Sequence, residues 1–209
     1  MIENISIIIP TVKNEVLTLK SIGECPVPHE IILTRKLGLG YARNWGAKQA
    51  KHDLLTFLDD DLILKPSIWK EILNVKKGEF AMTFLSGFPC TRVMVIHKSD
   101  FRKIGGFDDS ILYTGEDRDF YVRAIMNKLK WILIPIELTI HKQHLERRRN
   151  IHIAIRATRE NMTFLVKYGR KFPKVFRVDF LDRLLKGQVR TLLLELILLP
   201  YCIIKEMMK

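Results

Sequence analysis

Three consecutive carboxylates, Asp59-Asp60-Asp61, follow the apolar run Leu54-Leu55-Thr56-Phe57-Leu58 in this chain of 209 residues. Adjacent carboxylates repel one another unless positive charge lies among them. Side chains alternate along an extended chain, so Asp59 and Asp61 are expected on one side, with Asp60 facing away into local structure. Two hard oxygen ligands on one side suit Mg2+ or Mn2+, which take a few carboxylates and fill the rest of their shell with water and phosphate oxygens. The triplet alone fits a solvated acidic turn ahead of a helix near Pro66 equally well. A second acidic pair, Glu116-Asp117, opens a helical stretch predicted over 120–127. Carboxylates there complement the helix dipole, and one within reach of a hydroxyl could also take its proton. His141, after an apolar strand predicted over 137–140, reads by itself as a packed or surface residue, with His144 close by.

The elements that must position these groups show in the apolar pattern. Strands are predicted where aliphatic and β-branched residues run together, over 6–9, 30–33, 54–58, 93–97 and 131–134. Several runs are continuous rather than alternating, as expected of strands covered on both faces. Helical stretches lie over 15–22 and 40–50, and Pro66-Ser67-Ile68-Trp69 opens a third with proline near its first turn. Strand alternating with helix gives an α/β class with a mainly parallel, doubly wound sheet. Such sheets bind ligands at the carboxyl ends of their strands, where the triplet stands. Gly105-Gly106 predicts a turn with positive φ and Phe107 its anchor in the core. Trp45, Trp69 and Trp131 read as packing residues.

Five segments together resemble the successive landmarks of family-2 glycosyltransferases, over about 4–145. They are Ser6-Ile7-Ile8-Ile9-Pro10-Thr11 with Asn14-Glu15, Ala42-Arg43-Asn44-Trp45-Gly46, Phe57-Leu58-Asp59-Asp60-Asp61, Gly105-Gly106-Phe107-Asp108, and Gly115-Glu116-Asp117-Arg118-Asp119-Phe120. The resemblance implies a GT-A fold and inverting transfer of a sugar from a nucleotide-diphosphate donor. It implies that Asp59 and Asp61 form a DXD motif, Asp61 on the metal and Asp59 near ribose or metal, with Asp60 grouped among the donor-binding residues. Pro10, Thr11 and Glu15 match the loop around the nucleotide, and Arg43 a residue beside it. Asp117 matches the catalytic base with Glu116 next to it, and His141 a further metal or diphosphate contact. The family's Asp-Asp-Gly-Ser segment after the second strand is missing. Glu30-Ile31-Ile32-Leu33 instead runs into Thr34-Arg35-Lys36-Leu37-Gly38, which leaves Thr34 for a base edge and Arg35 or Lys36 for a diphosphate. The donor base stays open. No Gln-x-x-Arg-Trp segment follows His141, which argues against a processive polysaccharide synthase.

The net charge of +12 is unevenly placed, with eleven Lys or Arg against Glu146 and Glu160 between residues 142 and 177. That block suits polyanions: nucleic acid, anionic lipid, or a phosphorylated substrate. An amphipathic helix is predicted over 151–168, and an apolar run over 192–204 is broken only by Glu195 and Pro200. As a helix that run would reach about 20 Å, against about 30 Å for a bilayer core, so it suits the membrane interface or docking on the domain. We therefore expect a catalytic domain over 1–145 and a basic, partly apolar helical extension over 146–209. The extension would bring the protein to the inner face of the cell membrane and to a lipid-linked or glycan acceptor. The apolar N-terminal stretch is too short for a signal peptide, and Cys25, Cys90 and Cys202 form no CxxC pair, so a cytoplasmic location is expected. Two other classes fit parts of the pattern. A nucleic-acid-binding or anionic-membrane-binding module without activity would use the basic block but not the triplet, and no zinc-finger or aromatic RNA motif supports nucleic acid. A sugar nucleotidyltransferase would need a Gly-rich basic phosphate loop after the first strand, which Thr11-Val12-Lys13-Asn14-Glu15 does not resemble.

Overall fold

A computed structural model describes residues 4–85, 88–112, 115–142 and 167–168. The chain divides into two compact units, residues 1–112 with 116–145, and residues 113–115 with 146–209. All that follows concerns the first unit. The predicted helix over 151–168 and apolar run over 192–204 lie outside the described residues, save Lys167 and Tyr168.

The strands are β1 (Ile5–Pro10), β2 (His29–Thr34), β3 (Leu54–Leu58), β4 (Leu62–Leu64), β5 (Glu79–Leu85), β6 (Phe88–His97), β7 (Lys130–Ile134) and β8 (Thr139–His141). The helices are α1 (Leu19–Ile22), α2 (Leu39–Gln49), α3 (Ile68–Leu73), α4 (Lys98–Ile104) and α5 (Glu116–Met126). Six strands form one sheet in the order β2-β1-β3-β6-β5-β7. β1 pairs parallel with β2 and β3, and β5 parallel with β7; only β6 runs against its neighbours. The sheet is therefore mainly parallel, as the alternation of strand and helix implies.

Burial explains the continuous apolar runs. Every residue of β1 and β3 is buried. On one face Ile5, Ile7, Ile9, Leu54 and Leu58 pack with Trp69 and Ile72; on the other Ile8, Leu55 and Phe57 pack with Phe101, Phe107 and Phe120. A strand sandwiched in this way has no polar face to alternate with. β2, at the sheet edge, does leave Ile31 and Leu33 exposed.

Two predicted elements near the acids begin later than expected. The helix expected over 15–22 is only α1, because the residues before it are tied to the acidic loop: Leu17 N–H donates to the Asp60 carbonyl at 3.0 Å, and the Thr18 hydroxyl to the Asp59 carbonyl at 2.7 Å. The strand expected over 137–140 starts later, as β8, since Pro135 leads into a short 3-10 turn, Ile136–Leu138. β8 pairs antiparallel with β4, setting Leu62 opposite His141. This small two-stranded sheet brings His141 to the triplet, eighty positions upstream.

Candidate active site

β3 delivers Asp59, and the chain then turns through Asp60 and Asp61 before β4. Asp60 and Asp61 share one neighbour, Lys13, whose Nζ lies 2.7 Å from Asp60 Oδ1 and 4.0 Å from Asp61 Oδ2. Asp59 instead takes Arg43, Nη2 to Oδ1 at 3.0 Å. The charge of Asp61 acts on Asp59, while Asp60 is held into the first-strand loop by Lys13 and the Thr11 hydroxyl. Asp61 Oδ1 lies 3.2 Å from His141 Nε2, and the Lys142 N–H donates to the Asp61 carbonyl at 3.1 Å, extending the β4–β8 ladder to the site.

Arg43 is the buried centre of the arrangement. Its side chain is 1% exposed, with Nη1 donating to Glu116 Oε1 at 2.9 Å and Nη2 to Asp59. The guanidinium also lies 5.4 Å from the centre of the Phe107 ring. Burial pulls its pKa down, but the charges of Glu116 and Asp59 outweigh that and hold it above the ordinary value. Sequence places Arg43 beside the nucleotide; the structure spends both its arms on carboxylates from two distant segments. Arg43 thus joins the end of β3 to the start of α5.

Asp117 stands next to Glu116 in the first turn of α5. Its Oδ1 accepts the Arg118 N–H at 2.8 Å. Burial, then the charge of Glu116, push its pKa up to about 7, against Arg118 and Arg43. Asp59 is pushed up to about 6, chiefly by burial, with Asp61 and Glu116 adding to it and Arg43 opposing. A carboxylate that titrates near neutrality is suited to accept a proton and release it again.

The first-strand loop closes over the same acids. Pro10 ends β1 opposite Thr34, and the Thr11 N–H donates to the Thr34 carbonyl at 3.0 Å. The Thr11 hydroxyl donates to Asp60 Oδ2 at 2.6 Å. Glu15 lies at the surface, paired with Lys20 at 2.9 Å. Thr34 is fully buried, its γ-methyl carbon 3.0 Å from where a Cβ on Gly46 would stand. The absence of that Cβ lets α2 lie close on β1 and β2. Thr34 therefore presents no hydroxyl to a base edge here, which corrects that expectation.

The turn after α4 is anchored as expected. Gly105 and Gly106 have φ of 88° and 69°, and Phe107 is buried. Asn44 Nδ2 donates to the Phe107 carbonyl, and the Phe107 N–H to Asn44 Oδ1, both at 2.8 Å. Arg123 of α5 pairs with Asp119 at 2.7 Å and donates to the Gly106 carbonyl at 2.7 Å. A cleft of about 580 Å³ beside this turn is lined by residues including Asn44, Lys48, Phe101, Arg102 and Phe107. It holds none of the acids or His141, so it is not the site described above. Trp69 lies in the core, and Trp131 packs edge-on to Tyr121, both as packing residues.

Residues 24–89 match the sequence profile of Glycosyl transferase family 2, and residues 86–152 that of the N-terminal domain of galactosyltransferase. The chain carries a glycosyltransferase domain of the GT-A fold. Among solved structures, the Drosophila β1,4-galactosyltransferase 7 catalytic domain in complex with xylobiose is 14% identical, with TM-score 0.58 over 71% of this chain and 74% of that one. A mannosyltransferase from Pyrobaculum calidifontis, in complex with GDP-Man and Mn2+, is 14% identical, with TM-score 0.62 over 84% of this chain and 68% of that one. A mutant of the Drosophila enzyme, in complex with manganese, UDP-Gal and xylobiose, gives 13% identity and TM-score 0.56 over 71% and 74%. No curated protein matches the chain in sequence.

Within this glycosyltransferase domain two contributors escape the sequence reading. Lys13 sits against the acids, and the Thr18 hydroxyl ties the Asp59 carbonyl to the Leu62 N–H. Arg35, read as a candidate diphosphate contact, donates Nη1 to the Lys13 carbonyl at 3.0 Å. The only sequence signal for Lys13 was its place in the loop between Thr11 and Asn14. Among the described residues, no group of three or more His, Cys, Asp or Glu side chains gathers as a complete metal cage, and no helix is long and apolar enough to cross a membrane.

Proposed function

We propose that residues 1–145 transfer a sugar, with inversion, from a nucleotide-diphosphate donor to a glycan or lipid-linked acceptor in a divalent-metal-dependent reaction. The observation that carries this reading is the meeting of Asp61 and His141 at 3.2 Å, beyond the carboxyl end of β3. One oxygen and one nitrogen ligand from two segments would fill two of the about six positions of such a cation. The open positions then suit the phosphate oxygens of a donor, and the incomplete cage is what such a shared site requires. Mn2+ accepts imidazole with carboxylate, whereas Mg2+ prefers oxygen throughout, so Mn2+ is the better fit. Bound there, the cation offsets the charge that develops on the departing diphosphate.

The chain's own residues supply the rest. Asp117 takes the proton of the acceptor hydroxyl, a poor nucleophile at neutral pH. Attack from the side opposite the diphosphate inverts the anomeric carbon. Glu116 keeps the start of α5 tied to Arg43 and so to Asp59, which lies on the donor side. Pro10, Thr11 and Asp60 shape the loop along the nucleotide. A phosphate acceptor, already ionised, would need little from Asp117. The solved relatives bound to GDP-Man, UDP-Gal, Mn2+ and xylobiose support this donor class, metal and glycan acceptor. Residues 146–209 are read as an extension that holds the domain at the inner face of an anionic membrane, on the strength of their charge and the apolar run 192–204.

A thermal-shift panel of UDP-, GDP- and dTDP-sugars, with and without Mn2+, tests the reading. A donor at about one hundred times its Kd adds roughly 2.7 kcal/mol of stability. One nucleotide class is expected to stabilise the protein, and only with metal. No stabilisation by any class, or stabilisation indifferent to metal, contradicts the proposal.

A further inference from the structure

We propose that Lys13 is a tethered cation that closes the acidic cluster to free divalent metal, so that metal enters together with the donor diphosphate. This rests on the reading of Asp61 as a metal ligand.

Lys13 differs from an ordinary surface lysine in how it is held. Its N–H donates to the Thr11 hydroxyl oxygen at 3.0 Å, and the same hydroxyl donates to Asp60 at 2.6 Å. Its carbonyl accepts from Arg35 at 3.0 Å. With the backbone pinned on both sides, the side chain lies along the acids, 2.7 Å from Asp60 and 4.0 Å from Asp61, whose side chains are each only 14% exposed. The ammonium therefore supplies the positive charge that adjacent carboxylates require.

A divalent cation on Asp61 would stand within a few ångströms of that ammonium. The two positive charges repel, and free metal must either displace Lys13 from Asp60 or bind against its field. A nucleotide diphosphate reverses the balance. It brings two or more negative charges to the same place, giving the ammonium a new partner while the metal takes Asp61. The arrangement thus disfavours metal alone and tolerates metal with diphosphate.

Calorimetric titration of Mn2+ into the full chain, without nucleotide and at low salt, reads this out directly. Lys13→Met is expected to bind Mn2+ roughly five- to tenfold more tightly than the native chain, the effect of removing one nearby positive charge in a largely aqueous setting. Lys13→Arg keeps the charge and should match the native affinity. The gain should shrink in about 0.5 M KCl, where charges a few ångströms apart are screened and a packing change would not be. Equal or weaker Mn2+ binding by Lys13→Met overturns the inference. Adding Asp61→Asn should abolish the gain. If tight Mn2+ binding persists in that double variant, the metal does not use Asp61, and it is the underlying site assignment that fails.

Discussion

Removing the guanidinium of Arg43 should destabilise the domain in a way that depends on pH. Arg43→Met leaves Glu116 and Asp59 without the charge each now holds at 2.9 and 3.0 Å. Breaking a buried pair by deleting one partner costs about 3–5 kcal/mol, because the remaining charge stays desolvated. The Glu116 side chain is 7% exposed and Asp59 30%, so Glu116 carries most of the loss and Asp59 is partly rescued by water. That places the expected loss near the low end, about 3 kcal/mol, or roughly 6–12 °C in Tm. The sign of the pH effect follows. Asp59 already holds its proton more tightly than an ordinary carboxylate, chiefly through burial, and loses the opposing charge of Arg43, so stability falls as pH rises through its raised pKa. The deficit relative to the native chain should therefore be larger at pH 8 than at pH 5. Urea denaturation followed by circular dichroism at both pH values measures it, and adding Glu116→Gln should recover part of the loss. A deficit below about 1 kcal/mol, or one equal at the two pH values, would refute the account of Arg43 as the charge that holds β3 and α5 together.

Two further outcomes follow from the site and its extension. Transfer to a hydroxyl acceptor should rise with pH through about 7, as Asp117 ionises, and fall on the acid side. Asp117→Asn should bind donor normally, lose about a hundredfold or more in rate, and lose that acid limb; equal loss of donor binding and rate would mean a structural role. Truncation after Arg177 should release the protein from anionic liposomes in a flotation assay, and a truncated chain that still floats would show that the apolar run is not the anchor.

The sheet was legible where burial leaves a simple trace. Residues 54–58 form a strand with the predicted limits, because a fully covered strand must be apolar throughout and the acids that end it cannot be buried uncompensated. β5 went unread. Its mixed run Glu79-Phe80-Ala81-Met82-Thr83-Phe84-Leu85 becomes strand through pairing with β6 and β7, which no local window contains. The site divides in the same manner. Asp59, Asp61, Glu116, Asp117 and His141 could be singled out by type and order. Their partners could not: Asp60 is held by Thr11 and Lys13, which reach the acids from the loop after the neighbouring strand β1. Arg43 carried a signal as a residue near the donor, but its bridge to Glu116 spans 73 positions. Thr34 had the right chemistry for a base contact, yet the close approach allowed by Gly46 buries it.

The central claim is that Asp61 helps hold a divalent cation that in turn holds a nucleotide diphosphate. Calorimetry of UDP and GDP binding, with and without Mn2+, to the native chain and to Asp61→Ala tests it most directly. The account predicts metal-dependent binding of one nucleotide by the native chain and its loss in Asp61→Ala, with the fold retained by circular dichroism. Undiminished metal-dependent binding by Asp61→Ala would contradict it.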